Sequence, residues 1–131
     1  MKTENNWKYK SLFNLEKNHP DNPGEVPTRL VTRCAELIKN PLNEYSIEDL
    51  RLMIRQELGL PYLIPLAIEK LADNLFAEGD MYEGDLLANV LKIDNAFWKQ
   101  NPDLWVKLNK LIVKSRDTIT DMGISLTEFD S

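Results

Sequence analysis

The 131-residue chain has one histidine, one cysteine and five glycines, and each shortage removes a class of function. A Ser-His-Asp or Cys-His nucleophilic site would have to use His19. That residue stands between Asn18 and Pro20 in a proline-rich stretch and reads as a surface loop residue. A lone cysteine, Cys34, forms neither an internal disulfide nor a CxxC site, and it fits a reducing compartment. One His with one Cys is too few for a zinc site. No GxGxxG or GxxxxGK[ST] loop is there to cradle a phosphate. No run approaches the ~18 apolar residues of a membrane span, and the opening MKTENNWKYK lacks the apolar segment of a signal peptide. Basic residues are also few: 16 Lys and Arg against 21 Asp and Glu leave a net charge of −5. A nucleic-acid binder carries a basic face, so direct binding of nucleic acid is not expected, whereas a basic protein partner is compatible.

What is present is the composition of a folded chain, 43% hydrophobic and 28% charged. Its length suits one helical domain over 1–131, long enough to bury a core. The charge is unevenly placed. Residues 1–60 hold nine basic and nine acidic side chains; residues 61–131 hold seven basic and twelve acidic, so the whole −5 lies there.

Periodicity predicts helices throughout, and no segment alternates with the period of a strand. Residues 1–27 read as a loosely structured segment, closed by the turn chemistry of NHPDNPGEVP. A first helix is expected over 28–39, with Leu30, Val31, Cys34, Leu37 and Ile38 on one inward face, stopped at Asn40-Pro41. Cys34 then reads as core packing. Ser46-Ile47-Glu48-Asp49 resembles a capping box with Asp in place of Glu, opening a second helix with a seam of Ile47, Leu50, Ile54 and Leu58, Arg51 and Arg55 a turn apart on another face, and Gly59 as its left-handed stop. A third helix, about 61–73, is apolar around much of its girth and is the expected centre of the bundle. Asp85 is expected to cap a short helix to about Ile93, and Asp94 another over 95–100. The last helix is expected to run unbroken over 102–122, with Leu104, Leu108, Leu111, Ile112, Ser115, Ile119 and Met122 on one stripe, ended by Gly123. Lys107, Lys110 and Lys114 read as a solvated ladder on it. Residues 124–131 are expected to fray. The fold class is all-α, an irregular bundle of five to six helices.

One stretch stands out chemically. Residues 78–85, EGDMYEGD, hold four acids, two glycines and no base. Calcium is not the expected ligand: Asp80 is followed two on by Tyr82, and the twelfth position of an EF-hand loop would be Leu91 rather than glutamate. The bland reading is a solvated turn with Asp85 as a helix cap. The functional one is a protein-docking surface with Tyr82 as an aromatic anchor among charges.

Several pieces, taken in order, resemble the immunity proteins of bacterial contact-dependent growth inhibition systems. They are Leu30-Val31 and Cys34, Pro41-Leu42, Glu48-Asp49-Leu50-Arg51 with Ile54 and Gln56, and Gly59-Leu60. Tyr62-Leu63-Ile64-Pro65-Leu66-Ala67, Glu78-Gly79-Asp80, Tyr82 and Gly84-Asp85-Leu86-Leu87 continue the series. The resemblance covers residues 30–98. The chain departs from the family pattern at Leu75 or Phe76 and at Glu83, where proline is usual. The resemblance implies a cytoplasmic, non-enzymatic protein with no cofactor, which binds the toxic C-terminal domain of its own system's exported protein and blocks it. Such toxin domains are often basic nucleases. The expected toxin-binding residues are then Glu78, Asp80, Tyr82 and Glu83 of the acidic loop, with Glu69, Asp73 and Asp94 nearby in sequence. An alternative is an acidic helical adaptor or nucleic-acid mimic that regulates a basic DNA-binding protein. A small enzyme working through carboxylates ranks far behind, since no nucleophile–base pair is visible. No heptad seam defines an oligomeric state.

Overall fold

The computed structural model describes residues 7–16 and 29–131. His19, the proline-rich stretch and the expected helix start at Thr28 lie outside the described residues. The described residues are all-α. Five helices have seven or more residues: α2 Arg29–Lys39, α3 Ile47–Arg55, α4 Leu60–Asp73, α5 Asp85–Leu91 and α7 Pro102–Ile112. Four shorter ones join them: α1 Leu12–Glu16, α6 Asn95–Gln100, α8 Arg116–Asp121 and α9 Thr127–Asp130. The one extended pairing among the described residues is an isolated bridge between Ser11 and Pro41.

Local chemistry sets several boundaries as expected. Ser46 accepts the Asp49 N–H at 3.1 Å, and the Asp49 carboxylate accepts the Ser46 N–H at 3.0 Å, a reciprocal capping box. Asp94 caps α6 by accepting the Ala96 N–H at 2.9 Å. Gly123 ends α8 in the left-handed region at φ 81°. The stop of α3 differs from expectation. Glu57, at φ 57°, is its left-handed residue: Glu57 N–H donates to Ile54 O and Leu58 N–H to Met53 O, a Schellman closure. Gly59 instead forms the junction into α4, and Leu12 of α1 packs against it.

The expected centre, α4, packs on α3, α5 and α7. α4 buries six of its 14 residues. In α5 all seven residues are buried, so α5 shares the middle of the bundle with it. α5 also packs on α3. The side chains closing this core include Leu50, Met53 and Ile54 of α3, Leu63 and Leu71 of α4, and Leu86, Leu87 and Val90 of α5. Each such side chain contributes roughly 1.5–3 kcal/mol of burial. Two polar residues survive inside α5 because their groups are used internally. Asn89 donates from Nδ2 to the Asp85 carbonyl at 2.7 Å, and Asp85 serves the preceding loop.

The α2 face is narrower than its periodicity implies. Cys34 and Leu37 are buried, but Leu30 and Val31 are exposed. The last helix is interrupted by a 3-10 turn at Val113–Ser115. Leu108, Ile112 and Ile119 of the expected stripe are buried, whereas Met122 is exposed. Beyond the interruption, Arg116 binds Asn109 at 2.8 Å and pairs with both carboxylate oxygens of Asp130. The C-terminal residues, expected to fray, are docked instead. Phe129 is 1% exposed, stacks on Trp105 at 5.1 Å and meets Trp98 edge-on. Trp105 Nε1–H donates to the Phe129 carbonyl at 2.7 Å, and Asn95 Nδ2–H₂ to the Glu128 and Ser131 carbonyls. The N-terminal segment also contributes to the core: Leu12 has no exposed surface.

Candidate protein-docking surface

The chain leaves α4 at Asn74 and enters α5 at Asp85, and the acidic stretch lies between. Gly84 N–H donates to the Phe76 carbonyl at 3.1 Å, so the backbone closes on itself before α5 begins. Gly84 allows this with φ 84°, a conformation that side chains disfavour.

Inside the loop, two carboxylates collect the amides of four consecutive residues. Asp85, fully buried, accepts the N–H groups of Gly79 at 2.7 Å, Met81 at 3.0 Å and Tyr82 at 3.3 Å. Glu48, in the first turn of α3, accepts the Asp80 N–H at 2.8 Å. Gly79 is required by this approach: a Cβ there would stand 2.6 Å from Glu48 Oε1. Arg51 supplies the balancing charge. Its Nε and Nη2 grip the two Glu48 oxygens at 2.6 and 2.5 Å, and its Nε stands 3.9 Å from Asp85 Oδ2. Arg51 holds the Glu48 carboxyl below the ordinary glutamate value; burial opposes this, and the Asp80 amide adds to it.

The arrangement separates backbone from side chains. The amides face inward to fixed acceptors, while Glu78, Asp80, Met81, Tyr82 and Glu83 are exposed. Three carboxylates, those of Glu48, Asp85 and Asp80, act on the one guanidinium of Arg51, and no Lys or Arg lies in the chain between Lys70 and Lys92. A backbone held by internal hydrogen bonds and presenting exposed acids and an aromatic ring suits recognition of a basic protein surface. Among the described residues, no group of His, Cys, Asp and Glu side chains is arranged to hold a metal ion. Cys34 is buried in α2, and that burial pushes its thiol pKa up, away from a reactive thiolate.

The family of CDI immunity proteins matches residues 14–108, which contain α3, the acidic loop and α5. The chain belongs to the CDI immunity protein family. No curated protein and no solved structure matches it. Membership supports an immunity function directed at a CDI toxin, and so an inhibitor rather than an enzyme. No helix among the described residues is long and apolar enough to cross a membrane.

Within this immunity protein the expected site residues fall into separate features. Glu78, Asp80, Tyr82 and Glu83 share the loop. Glu69 on α4 is paired with Lys8 at 2.6 Å, and with Asp73 it lines a shallow polar depression beside Tyr45 and Lys70. Asp94 is engaged as the α6 cap, next to Asn95 and the docked C-terminus. Asp85, expected as a helix cap, is instead the anchor of the loop, and Gly84 holds the cap position. Sequence reasoning missed the frame formed by Glu48, Arg51 and Asp85. The one signal available was the Glu48–Arg51 spacing of three. Arg51, on a face apart from the apolar seam of α3, is 6% exposed.

Proposed function

We propose that this immunity protein neutralises the toxic C-terminal domain of its own system by binding it in the cytoplasm, and that the acidic loop is the docking element. The observation that carries the reading is the combination of family and geometry. A member of an immunity family holds a loop whose backbone is fixed from within, while its acids and Tyr82 face outward. A loop already in its binding conformation loses little entropy on association. Its negative field would accelerate encounter with a basic domain such as a nuclease. Glu69 is the weakest of the expected contacts because Lys8 already offsets its charge.

Titration calorimetry against the toxin domain encoded immediately upstream tests this. The expected result is a stable one-to-one complex, with a Kd near 1 nM corresponding to about −12 kcal/mol, that weakens as salt is raised. Glu78→Lys, Asp80→Lys and Glu83→Lys together should weaken binding and leave the melting temperature unchanged. Absence of binding by the unaltered protein would remove the reading. Unchanged binding by the triple variant would remove the loop from the interface.

A further inference from the structure

The acidic loop carries two exposed apolar side chains, and a third from a distant part of the chain meets its end. Met81 and Tyr82 are 62% and 47% exposed. Met122, beyond the end of α8, is 39% exposed. Its Cε lies 3.1 Å from the point where a Cβ on Gly84 would stand. The C-terminal part of the chain thus lays a methionine over the last residue of the loop. Single exposed apolar residues are ordinary, but two on one loop with a third reaching its last residue are informative. Methionine adapts its shape to a partner's recess, and tyrosine is a frequent hot spot.

The origin of Met122 bears on selectivity. The family match ends at residue 108, so Met122 is contributed by a part of the chain outside it. Discrimination between related toxins needs contacts that the shared framework does not supply. Charge fixes the kind of partner. Met81 and Tyr82 stand in sequence among exposed Glu78, Asp80 and Glu83, in a span with no Lys or Arg between Lys70 and Lys92. A complementary surface is an apolar recess rimmed by Lys and Arg.

We propose that Met81, Tyr82 and Met122 form the anchoring centre of the toxin-docking surface, seated in an apolar recess with a basic rim on the toxin domain, and that Met122 supplies discrimination among toxins. The proposal rests on the toxin-neutralising reading above and divides the labour within it. The acids set the rate of encounter; the apolar centre sets the lifetime of the complex.

Surface-capture kinetics with the toxin domain encoded immediately upstream separate the two roles. Tyr82→Ser and Met122→Ala should each dissociate about tenfold or more faster, with association rates within about twofold of the parent. Met122→Leu should keep a near-parental lifetime. Triple reversal of Glu78, Asp80 and Glu83 to Lys should mainly slow association. Thermal melts accompany each variant, and Met122→Gln, which keeps the length of the side chain, replaces Met122→Ala if that variant melts early. Parental dissociation rates in the folded Tyr82 and Met122 variants, with tight binding by the unaltered protein, would refute the apolar centre and leave the neutralising function intact. Failure of the unaltered protein to bind would overturn both.

Discussion

Replacing Arg51 with methionine should be among the most damaging single changes outside the apolar core. The substitution keeps an apolar stem but removes the guanidinium. Arg51 and Asp85 side chains are 7% and 0% exposed, and that of Glu48 is 23% exposed. Removing one partner of a buried ion pair costs about 3–5 kcal/mol, because the remaining charge is left uncompensated. The partial exposure of Glu48 places the expectation near the low end, about 3 kcal/mol. A chain of this length has a total stability of roughly 7–20 kcal/mol. Arg51→Met should therefore still fold, with a melting temperature lower by about 10 °C. Urea unfolding followed by tryptophan fluorescence gives the free energy, and hydrogen exchange should quicken at the Gly79–Tyr82 amides. The pH dependence is diagnostic. In the parent, Arg51 holds the Glu48 carboxyl below its ordinary value of 4.5, so its contribution is complete above that pH. It is lost as the pH falls through the depressed folded-state value. In Arg51→Met the defect should be greatest near neutrality and shrink on acidification, as Glu48 takes up a proton and the unpaired charge disappears. A loss below about 1 kcal/mol at neutral pH, the range of exposed ion pairs, would refute the reasoning.

Other positions give independent tests. Phe129→Ala should cost about 3–5 kcal/mol and shift tryptophan emission to the red by opening the stack on Trp105; an unchanged melt would mean that the C-terminal helix is not docked. Ser46→Ala should cost about 1 kcal/mol by removing the capping-box acceptor, measured by denaturant titration, and a cost near zero would count against the cap. Cys34 should stay unreactive toward an aromatic disulfide reagent until the protein is unfolded; prompt native-state reaction would contradict its burial.

Local chemistry and periodicity were legible in the sequence where they act over a few residues. The box at Ser46, the cap at Asp94, the start of α7 at Pro102 and the end at Gly123 all follow from side chains adjacent to the backbone groups they satisfy. What escaped are contacts made across the fold. Asp85 looks like a cap because acids favour helix entrances, yet its carboxylate turns to amides three to six residues earlier. The burial of Arg51 is not legible because the spacing to Glu48 marks only a local pair, and Asp85 lies far along the chain. The seven residues of α5 are too few for a periodic pattern to reveal full burial. The docking of Phe129 depends on Trp98, Trp105 and the Arg116–Asp130 pair, which no window of neighbouring residues contains. The candidate surface was visible as an acidic stretch with a tyrosine; its rigidity and the arrival of Met122 were not.

Survival of cells that produce the upstream toxin domain tests the central claim most directly. Co-production of the unaltered immunity protein should restore colony formation. The folded variant carrying Glu78→Lys, Asp80→Lys and Glu83→Lys should fail to protect at equal abundance. Equal protection by the two would contradict docking through the acidic loop, and no protection by the unaltered protein would contradict neutralisation of that toxin.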